Sequence, residues 1–432
     1  MILSIALAIA VQALPPDSTV QRILKDRMGP SPFRGIVVGL LDADGKGRVV
    51  AVGVPADRVF EIGSITKVFT ASVLAGMVAD GSVRLDDPVA KYLPPSVRVP
   101  ARNGRQIILV DLATQSSGLP RLPTNMALRD SSNPYADYTP EQMYAFLSTY
   151  ELPRDPGQTY EYSNLGVGLL GHALALRAGM SYEEVVRRRI LVPLGMRETA
   201  ITLSPALRAR LAPGHDAEGH VVPNWDLPTL AGAGALRSTA QDMLTFLRAN
   251  LDSTSVFRQT HLSRHATGNA GLTIGLAWHI LTRPRGASII WHNGGTGGYR
   301  SFTGFDPVRR VGVVVLTNAN IGADDIGFHL LDDAMPLHAP PRARAAIPVD
   351  SQVLDRYVGE YELAPSFHIV VTREGAGLLI QATAQPKFPI FAESQSEFFL
   401  KVVDAQITFS RDGLILHQNG QNLPGRKIPT PP

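Results

Sequence analysis

Ser64 and Lys67 form the most informative pair of reactive side chains in this sequence. Ser64 is the only serine that is followed by a lysine three residues later, in a chain with only seven lysines. If both lie in the first turn of a helix, their Cβ atoms are about 5–6 Å apart on one face. A lysine amine at that distance can activate a serine hydroxyl, which is a weak nucleophile on its own. The alternative is that Ser64 caps the helix and Lys67 is solvated.

The flanking residues predict a strand-to-helix corner at Ser64. Residues 59–63 read as a short extended run that ends in a glycine, and residues 67–79 carry apolar side chains at helical spacing. The hydroxyl would then lie beside free backbone N–H groups and the positive end of the helix dipole.

A second group of candidate residues lies at positions 160–164, just before an apolar helical stretch at 165–178. Tyr162 could carry a proton between nucleophile and leaving group if nearby cations lowered its pKa from about 10. Asn164 offers an amide donor and an acceptor to a substrate. A buried tyrosine followed by a capping asparagine would give the same pattern, so this segment alone does not decide between the two.

A third candidate segment spans residues 291–300 and contains four glycines, at positions 294, 295, 297 and 298. Glycines let a strand approach a ligand closely, so that its N–H groups can bind an oxyanion. The alternative is a mobile glycine turn without a ligand.

Together the three segments resemble the serine hydrolases of the class C β-lactamase and D-alanyl-D-alanine peptidase family, which also includes esterases. The motifs of that family are S-x-x-K, then Y-x-N, then K-T-G or H-x-G. This sequence has Ser64 with Lys67, Tyr162 with Asn164, and His292 with Gly294, in the same order. Further similar stretches lie at residues 60–63, 115–120, 193–196 and 234–239, so that the resemblance covers residues 17–335.

The resemblance implies a catalytic role for three residues. Ser64 would attack a carbonyl and become acylated, while Lys67 and Tyr162 move its proton. Backbone N–H groups of Ser64 and Gly295 would form the oxyanion hole. No metal or other cofactor is implied.

The resemblance also implies a set of substrate-binding residues, namely Asn164, His292, Asn293, Gly294, Gly295 and Arg300. Asn164 would orient a side-chain amide, and the others would line the place of a substrate carboxylate. His292 stands where efficient class C β-lactamases have lysine, and it binds a carboxylate less strongly because a histidine is mostly neutral at pH 7. Asn293 stands where threonine or serine is usual, and Arg300 could compensate for the lost charge.

We therefore expect a serine hydrolase whose first-choice substrates are β-lactams. D-alanyl-D-alanine peptides and carboxylic esters are the alternatives within the family. A penicillin-binding receptor that is acylated without turnover is the non-enzyme alternative. An α/β-hydrolase is excluded because no serine has the G-x-S-x-G spacing. Residues 166–171 fit G-x-G-x-x-G, but they lie inside a helical pattern, where close helix packing explains the glycines better.

The order of elements predicts the fold class. Strand-like runs at 33–41 and 48–54, and again at 272–317, enclose a region of helices and loops. This order predicts an antiparallel sheet completed from both ends of an α/β (α+β) domain with a helical subdomain. The resemblance implies the β-lactamase/transpeptidase-like version of this fold for residues 17–337. A proline-rich linker at 338–350 would lead to a small all-β barrel at 351–432, which resembles a lipocalin-like domain.

Composition and termini bound the remaining possibilities. The chain has 432 residues, a formal net charge of +3 and no cysteine, so disulfides and thiolate catalysis are excluded and nothing indicates nucleic-acid binding. Residues 1–13 resemble a secretory signal and are too short for a membrane span. We expect export to a bacterial periplasm or the medium.

Overall fold

The computed structural model describes most of the chain, namely residues 13–29, 34–126, 129–130, 132–216, 219–283, 288–319, 322–338, 346–364, 367–383, 387–401, 405–418 and 421–428. Except for Ala13, the predicted signal segment lies outside the described residues. So does most of the predicted linker, at positions 339–345. The domain limits drawn from the sequence therefore stay predictions.

Strands and helices alternate irregularly up to residue 338. The strands are β1 (Ile36–Leu41), β2 (Gly47–Val52), β3 (Phe60–Glu61), β4 (Ala101–Arg102), β5 (Arg105–Gln106), β6 (Arg237–Ser238), β7 (His265–Ala266), β8 (Leu272–Ile274), β9 (His279–Leu281), β10 (Ile289–Gly295), β11 (Arg300–Asp306) and β12 (Val311–Thr317). The helices are α1 (Asp17–Met28), α2 (Thr66–Ala79), α3 (Leu109–Ala113), α4 (Pro140–Thr149), α5 (Asn164–Ala178), α6 (Tyr182–Val186), α7 (Val192–Leu194), α8 (Pro205–Ala209), α9 (Ala231–Gly234), α10 (Ala240–Leu251) and α11 (Asp324–Leu331). Among the described helices, none is long and apolar enough to cross a lipid bilayer.

Among the described residues, the main sheet has eight antiparallel strands in the order β2-β1-β12-β11-β10-β9-β8-β7. Strand β1 pairs with β2 as a hairpin and with β12 from the far end of the domain, where Ile36 faces Thr317. The prediction of a sheet completed from both ends is therefore confirmed.

Both faces of this sheet are covered by helices. All residues of β1 and β12 are buried. Alternate side chains point to opposite faces of a strand. Val37 and Leu41 accordingly belong to the core shared with α10, whereas Val38 and Leu40 belong to a second core shared with α1 and α11. The close approach of α10 depends on Gly39, where a Cβ would lie 3.0 Å from Leu244 Cγ.

The helical region packs around α2, which is apolar on nearly all sides and buried along most of its length. Helices α5 and α9 lie next to it and touch through glycines. A Cβ on Gly168 would lie 2.6 Å from a Leu230 side-chain carbon, and a Cβ on Gly171 would lie 2.9 Å from Gly232 Cα. The G-x-G-x-x-G pattern thus serves close helix packing, as expected from the sequence.

The C-terminal strands form a closed barrel with a core of its own. Helix α12 (Ser351–Tyr357) precedes the strands β13 (Gly359–Ala364), β14 (Phe367–Glu374), β15 (Gly377–Ala382), β16 (Lys387–Ala392), β17 (Glu397–Leu400), β18 (Ala405–Phe409), β19 (Gly413–Gln418) and β20 (Gln421–Ile428). Each strand pairs with its neighbour in sequence, and β20 closes on β13. The predicted small all-β barrel is confirmed.

Candidate active site

Ser64 lies at a sharp corner between β3 and α2. A short 3-10 turn, Gly63–Ile65, separates the two elements. Gly63 has a φ of +50°, and a Cβ at this position would lie 2.7 Å from the backbone nitrogen of Gly295. Only glycine allows both the backbone conformation and this close approach. The corner therefore brings the partly exposed Ser64 next to the end of β10.

Lys67 is fully buried, and three oxygens surround its amine. Its Nζ lies 2.9 Å from Ser64 Oγ, 2.9 Å from Asn164 Oδ1 and 2.7 Å from the Ala233 carbonyl oxygen. Burial holds the pKa of Lys67 well below its ordinary value, and the charge of Arg121 acts in the same direction. A neutral amine has two hydrogens for the amide and carbonyl oxygens and a lone pair for the serine hydroxyl. The alternative of a capping serine and a solvated lysine is therefore excluded.

Tyr162 completes the group around the hydroxyl. It is hydrogen-bonded to Ser64, and Lys67 Nζ and Arg121 Cζ lie 4.9 Å and 5.0 Å from the centroid of its ring. Burial raises the pKa of Tyr162 to about 12, although the Ser64 hydrogen bond and Arg121 oppose this shift. The phenol is therefore neutral at pH 7 and can donate a proton. From the sequence, a proton-carrying role for Tyr162 depended on nearby cations that lower its pKa, but the shift is upward.

One loop residue, Gln115, holds both chain neighbours of Tyr162. Gln115 has a φ of +58°, and its carbonyl oxygen accepts the Glu161 N–H at 2.7 Å. Its side-chain oxygen accepts the Ser163 N–H at 2.7 Å. Ser163 in turn caps α5 through Gly166 N–H, which places Asn164 at the start of that helix. Sequence reasoning noted residues 115–120 only as a family-like stretch and gave Gln115 no role.

The end of β10 forms the other wall of the site. Its pairing with β9 ends at Trp291, so residues 292–295 extend beyond that neighbour. A Cβ on Gly294 would lie 2.1 Å from the Ile62 carbonyl oxygen, which also accepts a hydrogen bond from Ser301 Oγ at 2.9 Å. The glycine-rich segment is thus the end of a strand, in agreement with the predicted strand edge, and it is held against the corner that carries Ser64.

His292 is fully buried beside Tyr162, with 6.5 Å between ring centroids. Its Nδ1 lies 2.6 Å from the Asn293 carbonyl oxygen, and its Nε2 has no hydrogen-bond partner among the described residues. A second buried histidine, His279, lies with its ring centroid 5.3 Å from that of His292, and its Nε2 lies 3.0 Å from the Tyr160 hydroxyl. Burial lowers the pKa of His292 well below its ordinary value and that of His279 to about 4, and both are close to Lys67.

Two predicted binding residues lie on the opposite face of the sheet. Asn293 Nδ2 donates to Asp324 Oδ2 at 2.5 Å, at the start of α11. Arg300 Nη1 donates to the carbonyl oxygens of Thr296 (2.7 Å) and Tyr299 (2.8 Å). Burial lowers the pKa of Arg300 to about 10, and Asp324 opposes this shift.

The structure thus joins four of the predicted residues in one hydrogen-bonded cluster and places three more at its edge. The cluster consists of Ser64, Lys67, Tyr162 and Asn164, and its edge consists of His292, Gly294 and Gly295. Sequence reasoning missed His279, Tyr160 and Asp324. A polar residue within the apolar run 272–281 was the only available signal for His279. Within the described parts of the chain, no group of three or more His, Cys, Asp or Glu side chains could hold a metal ion.

The cluster has the parts needed for acyl transfer. The hydroxyl of Ser64 can serve as a nucleophile, the buried amine of Lys67 as a base, and the phenol of Tyr162 as an acid. The N–H groups at the Ser64 corner and at Gly295 lie on adjacent walls, where an oxyanion could be bound.

Comparison with known proteins gives consistent matches for both parts of the chain. Residues 20–333 match the family described as Beta-lactamase, and residues 343–417 match a domain of unknown function, DUF3471. The D-alanyl-D-alanine-carboxypeptidase/endopeptidase AmpH of Escherichia coli K12 is 34% identical over 279 residues, which cover 60% of this chain and 71% of AmpH. A β-lactamase of Lysobacter lactamgenus is 25% identical, and the match covers 71% of this chain and 88% of that β-lactamase.

One solved structure resembles nearly the whole chain. It is the octameric penicillin-binding protein homologue from Pyrococcus abyssi, with a TM-score of 0.65 and 21% identity. The match covers 95% of this chain and 99% of that protein. At this identity the likeness concerns the fold.

Proposed function

Because this chain belongs to the Beta-lactamase family of serine hydrolases, we propose that it works through an acyl-enzyme formed at Ser64. The observation that carries the proposal is the buried Lys67 amine, which lies 2.9 Å from Ser64 Oγ and is held there by Asn164 and Ala233. An amine that is buried without a carboxylate partner gains little from holding a third proton, and so is suited to accept the serine proton.

Acylation would proceed in two steps. Ser64 Oγ bonds to the substrate carbonyl carbon while its proton passes to Lys67, and the resulting oxyanion is bound by the N–H groups of Ser64 and Gly295. Each such donor contributes about 3–4 kcal/mol to other acyl-transfer enzymes. The bond to the leaving atom then breaks as Tyr162 donates its proton to that atom, and the proton held by Lys67 restores the phenol. Water takes the place of the serine in deacylation.

Two classes of substrate are proposed, and each contains the amide carbonyl that Ser64 would attack. β-Lactams are the first class, since the chain belongs to the Beta-lactamase family and its relative from Lysobacter lactamgenus is a β-lactamase. D-alanyl peptides are the second class, favoured by the likeness to AmpH and by the neutral His292 beside Tyr162. Asn164, which holds Lys67 through Oδ1, would offer its amide group to the substrate in both classes.

Intact-protein mass spectrometry after exposure to benzylpenicillin tests the nucleophile. We expect one adduct that maps to Ser64, no adduct in Ser64→Ala, and an unchanged adduct in Ser72→Ala, a buried serine on α2 whose hydroxyl donates to the Val68 carbonyl oxygen. An adduct that persists in Ser64→Ala would refute the assignment.

Turnover separates the alternatives that share this adduct. A chromogenic cephalosporin, a D-Ala-D-Ala peptide and nitrophenyl butyrate would be compared at equal enzyme concentration. Product beyond one equivalent excludes a receptor that is acylated without turnover, and the fastest substrate identifies the branch of the family.

We also propose that the protein is exported. Residues 1–13 combine an apolar run with small residues before Leu14-Pro15-Pro16, as in a secretory signal. N-terminal sequencing of the mature protein tests this, and an intact Met1 would contradict it.

A further inference from the structure

Arg121 is an exposed cation held at the edge of the reactive cluster. Its carbonyl oxygen accepts the N–H groups of Asn164 at 3.0 Å and Leu165 at 3.3 Å, which are the first two residues of α5. The carbonyl oxygen of the preceding Pro120 accepts the Ser163 hydroxyl at 2.6 Å. The backbone of Arg121 is therefore fixed to the helix start that carries Asn164.

The side chain of Arg121 lies next to Tyr162. Its Cζ is 5.0 Å from the centroid of the tyrosine ring, within the range of a cation–π contact. Lys67 Nζ is 4.9 Å from the same centroid, so the guanidinium carbon and the amine are no more than about 10 Å apart. An extended peptide advances about 3.3–3.6 Å per residue, so two or three residues of a substrate span that distance. A substrate bonded to Ser64 can therefore reach the guanidinium.

The positive charge of Arg121 is not balanced by an acidic group of the described structure. Burial lowers the pKa of Lys67 and raises those of Tyr162 and Tyr135, and the charge of Arg121 adds a downward contribution to all three. Within the described residues, no carboxylate acts on these three groups and none forms an ion pair with Arg121. A substrate anion would thus meet uncompensated positive charge beside the phenol.

Other basic side chains near the cluster are less suited to bind a carboxylate. Lys67 is fully buried among three oxygens. His292 and His279 are buried, and burial lowers the pKa of both, so that they are uncharged at neutral pH. Arg300 Nη1 already donates to two backbone carbonyl oxygens. Arg121 combines a charge and exposure to solvent with the planar fork that matches a carboxylate.

We propose that Arg121 binds a carboxylate of the substrate and thereby makes the site prefer anionic over uncharged substrates. The inference rests on the proposed acyl-enzyme at Ser64 and deepens it by naming the residue that selects charge. Two parts of a substrate can carry this carboxylate. One is the leaving group, as in D-Ala-D-Ala peptides, and the other is the acyl side chain, as in carbenicillin.

Two matched substrate pairs measure the contribution of Arg121, one for each position. Acyl-D-Ala-D-Ala carboxylate and its carboxamide differ in the leaving group, and carbenicillin differs from benzylpenicillin by one carboxylate on the acyl side chain. In at least one pair, kcat/KM or the rate of Ser64 acylation should favour the member with the additional carboxylate. Arg121→Ala should reduce this ratio about tenfold or more, as expected for a charge-assisted hydrogen bond. The pair that responds identifies the position of the carboxylate.

Two further variants separate binding from an effect on the reactive groups. Arg121→Lys keeps the charge and should retain part of the ratio. Arg177→Ala removes an exposed arginine at the other end of α5, about 20 Å from Asn164 along the helix, and should leave the ratio unchanged. If Arg121 acted only on the pKa values of Tyr162 and Lys67, its replacement would change both members of a pair by the same factor.

Salt gives a measurement that needs no variant. The attraction between an exposed cation and a carboxylate is screened, so the ratio in the unaltered protein should fall between about 50 and about 500 mM salt. A ratio that does not depend on salt would contradict the role of an exposed arginine.

Three other results would overturn the inference. The first is the absence of a preference for the additional carboxylate in both pairs. The second is a preference that Arg121→Ala leaves unchanged, and the third is one that is lost in Arg300→Ala instead, because Arg300 would then bind the carboxylate. Each of these results, obtained with a Ser64 adduct present, leaves the nucleophile established. Absence of any Ser64 adduct would instead refute the proposed function.

Discussion

Replacing Asp324 with Asn should stabilise the protein at neutral pH by an amount that depends on pH. Asp324 begins α11, and its Oδ2 accepts a hydrogen bond from Asn293 Nδ2. Burial raises the pKa of this carboxyl from 3.8 to about 6, since the Asn293 bond and the charge of Arg300 do not outweigh desolvation. An asparagine offers the same acceptor to Asn293 without a charge to bury.

The magnitude follows from linkage between proton binding and folding. Between pH 3.8 and about 6 the folded state keeps a proton that the unfolded state has lost, so stability falls as pH rises through this window. Each unit of pKa shift corresponds to about 1.4 kcal/mol. The shift of Asp324 from 3.8 to about 6 therefore lowers the free energy of unfolding by about 3 kcal/mol above pH 6. This is an upper limit, because Asp324 keeps some exposure to solvent. Below pH 3.8 the penalty vanishes.

Urea unfolding followed by tryptophan fluorescence measures this effect in the part of the chain that contains Asp324. All three tryptophans, Trp225, Trp278 and Trp291, precede the barrel. Asp324→Asn should raise the free energy of unfolding by up to about 3 kcal/mol at pH 7.5 and by less than about 1 kcal/mol at pH 4.

The neighbouring residue gives a control of opposite sign. Burial alone would raise the pKa of Asp325, but the hydrogen bonds and charge of Arg27 hold it below its ordinary value. Asp325→Asn should therefore destabilise the protein at pH 7.5 by about 3–5 kcal/mol, as expected for a broken buried ion pair. The loss should shrink as pH falls below 3.8. An effect of Asp324→Asn that is equal at both pH values would refute the reasoning.

Three further predictions concern packing and domain organisation. Gly294→Ala should slow acylation by penicillin about tenfold or more, because the new Cβ would lie 2.1 Å from the Ile62 carbonyl oxygen and would displace β10 from the nucleophile; an unchanged rate would contradict this. Gly171→Ala should lower stability in urea by about 1–3 kcal/mol through overpacking against Gly232 Cα, 2.9 Å from the new Cβ, and a stability equal to the parent's would show that the helices separate freely. Deleting residues 351–432 should leave acylation intact, since the barrel has its own core; a folded truncation that cannot be acylated would disprove the accessory role.

Elements defined by local signals could be predicted closely from the sequence. The strand-like runs at 33–41 and 48–54 contain or overlap β1 (Ile36–Leu41) and β2 (Gly47–Val52), and the helical stretch at 165–178 forms α5 (Asn164–Ala178). At the start of the strand-like region 272–317, the apolar run 272–281 forms two strands, β8 and β9, separated by a bend at Ala277 with a φ of +62°. Nothing local to Ala277 signals this conformation, because it depends on the contacts of the folded domain.

The contacts of the candidate site also fall into those that local sequence predicts and those that depend on the tertiary fold. The contact between Ser64 and Lys67 follows from helical spacing and was predictable. The contacts of Lys67 with Asn164 and Ala233 join residues 97 and 166 positions away, so they require the tertiary fold. The upward pKa shift of Tyr162 was not predictable either, because it comes from burial in the assembled site.

The pairing of β1 with β12 has a consequence for synthesis of the protein. Ile36 finds its partner Thr317 only after the intervening helical region has been made. At about 5–20 residues per second, the free edge of β1 waits roughly 15–60 s on the ribosome for β12. During that time an apolar strand edge is open to pairing with other chains. A chaperone or translocation factor that binds the nascent chain should therefore matter most before residue 317 emerges, and β-rich aggregates should form mainly from chains truncated before that point.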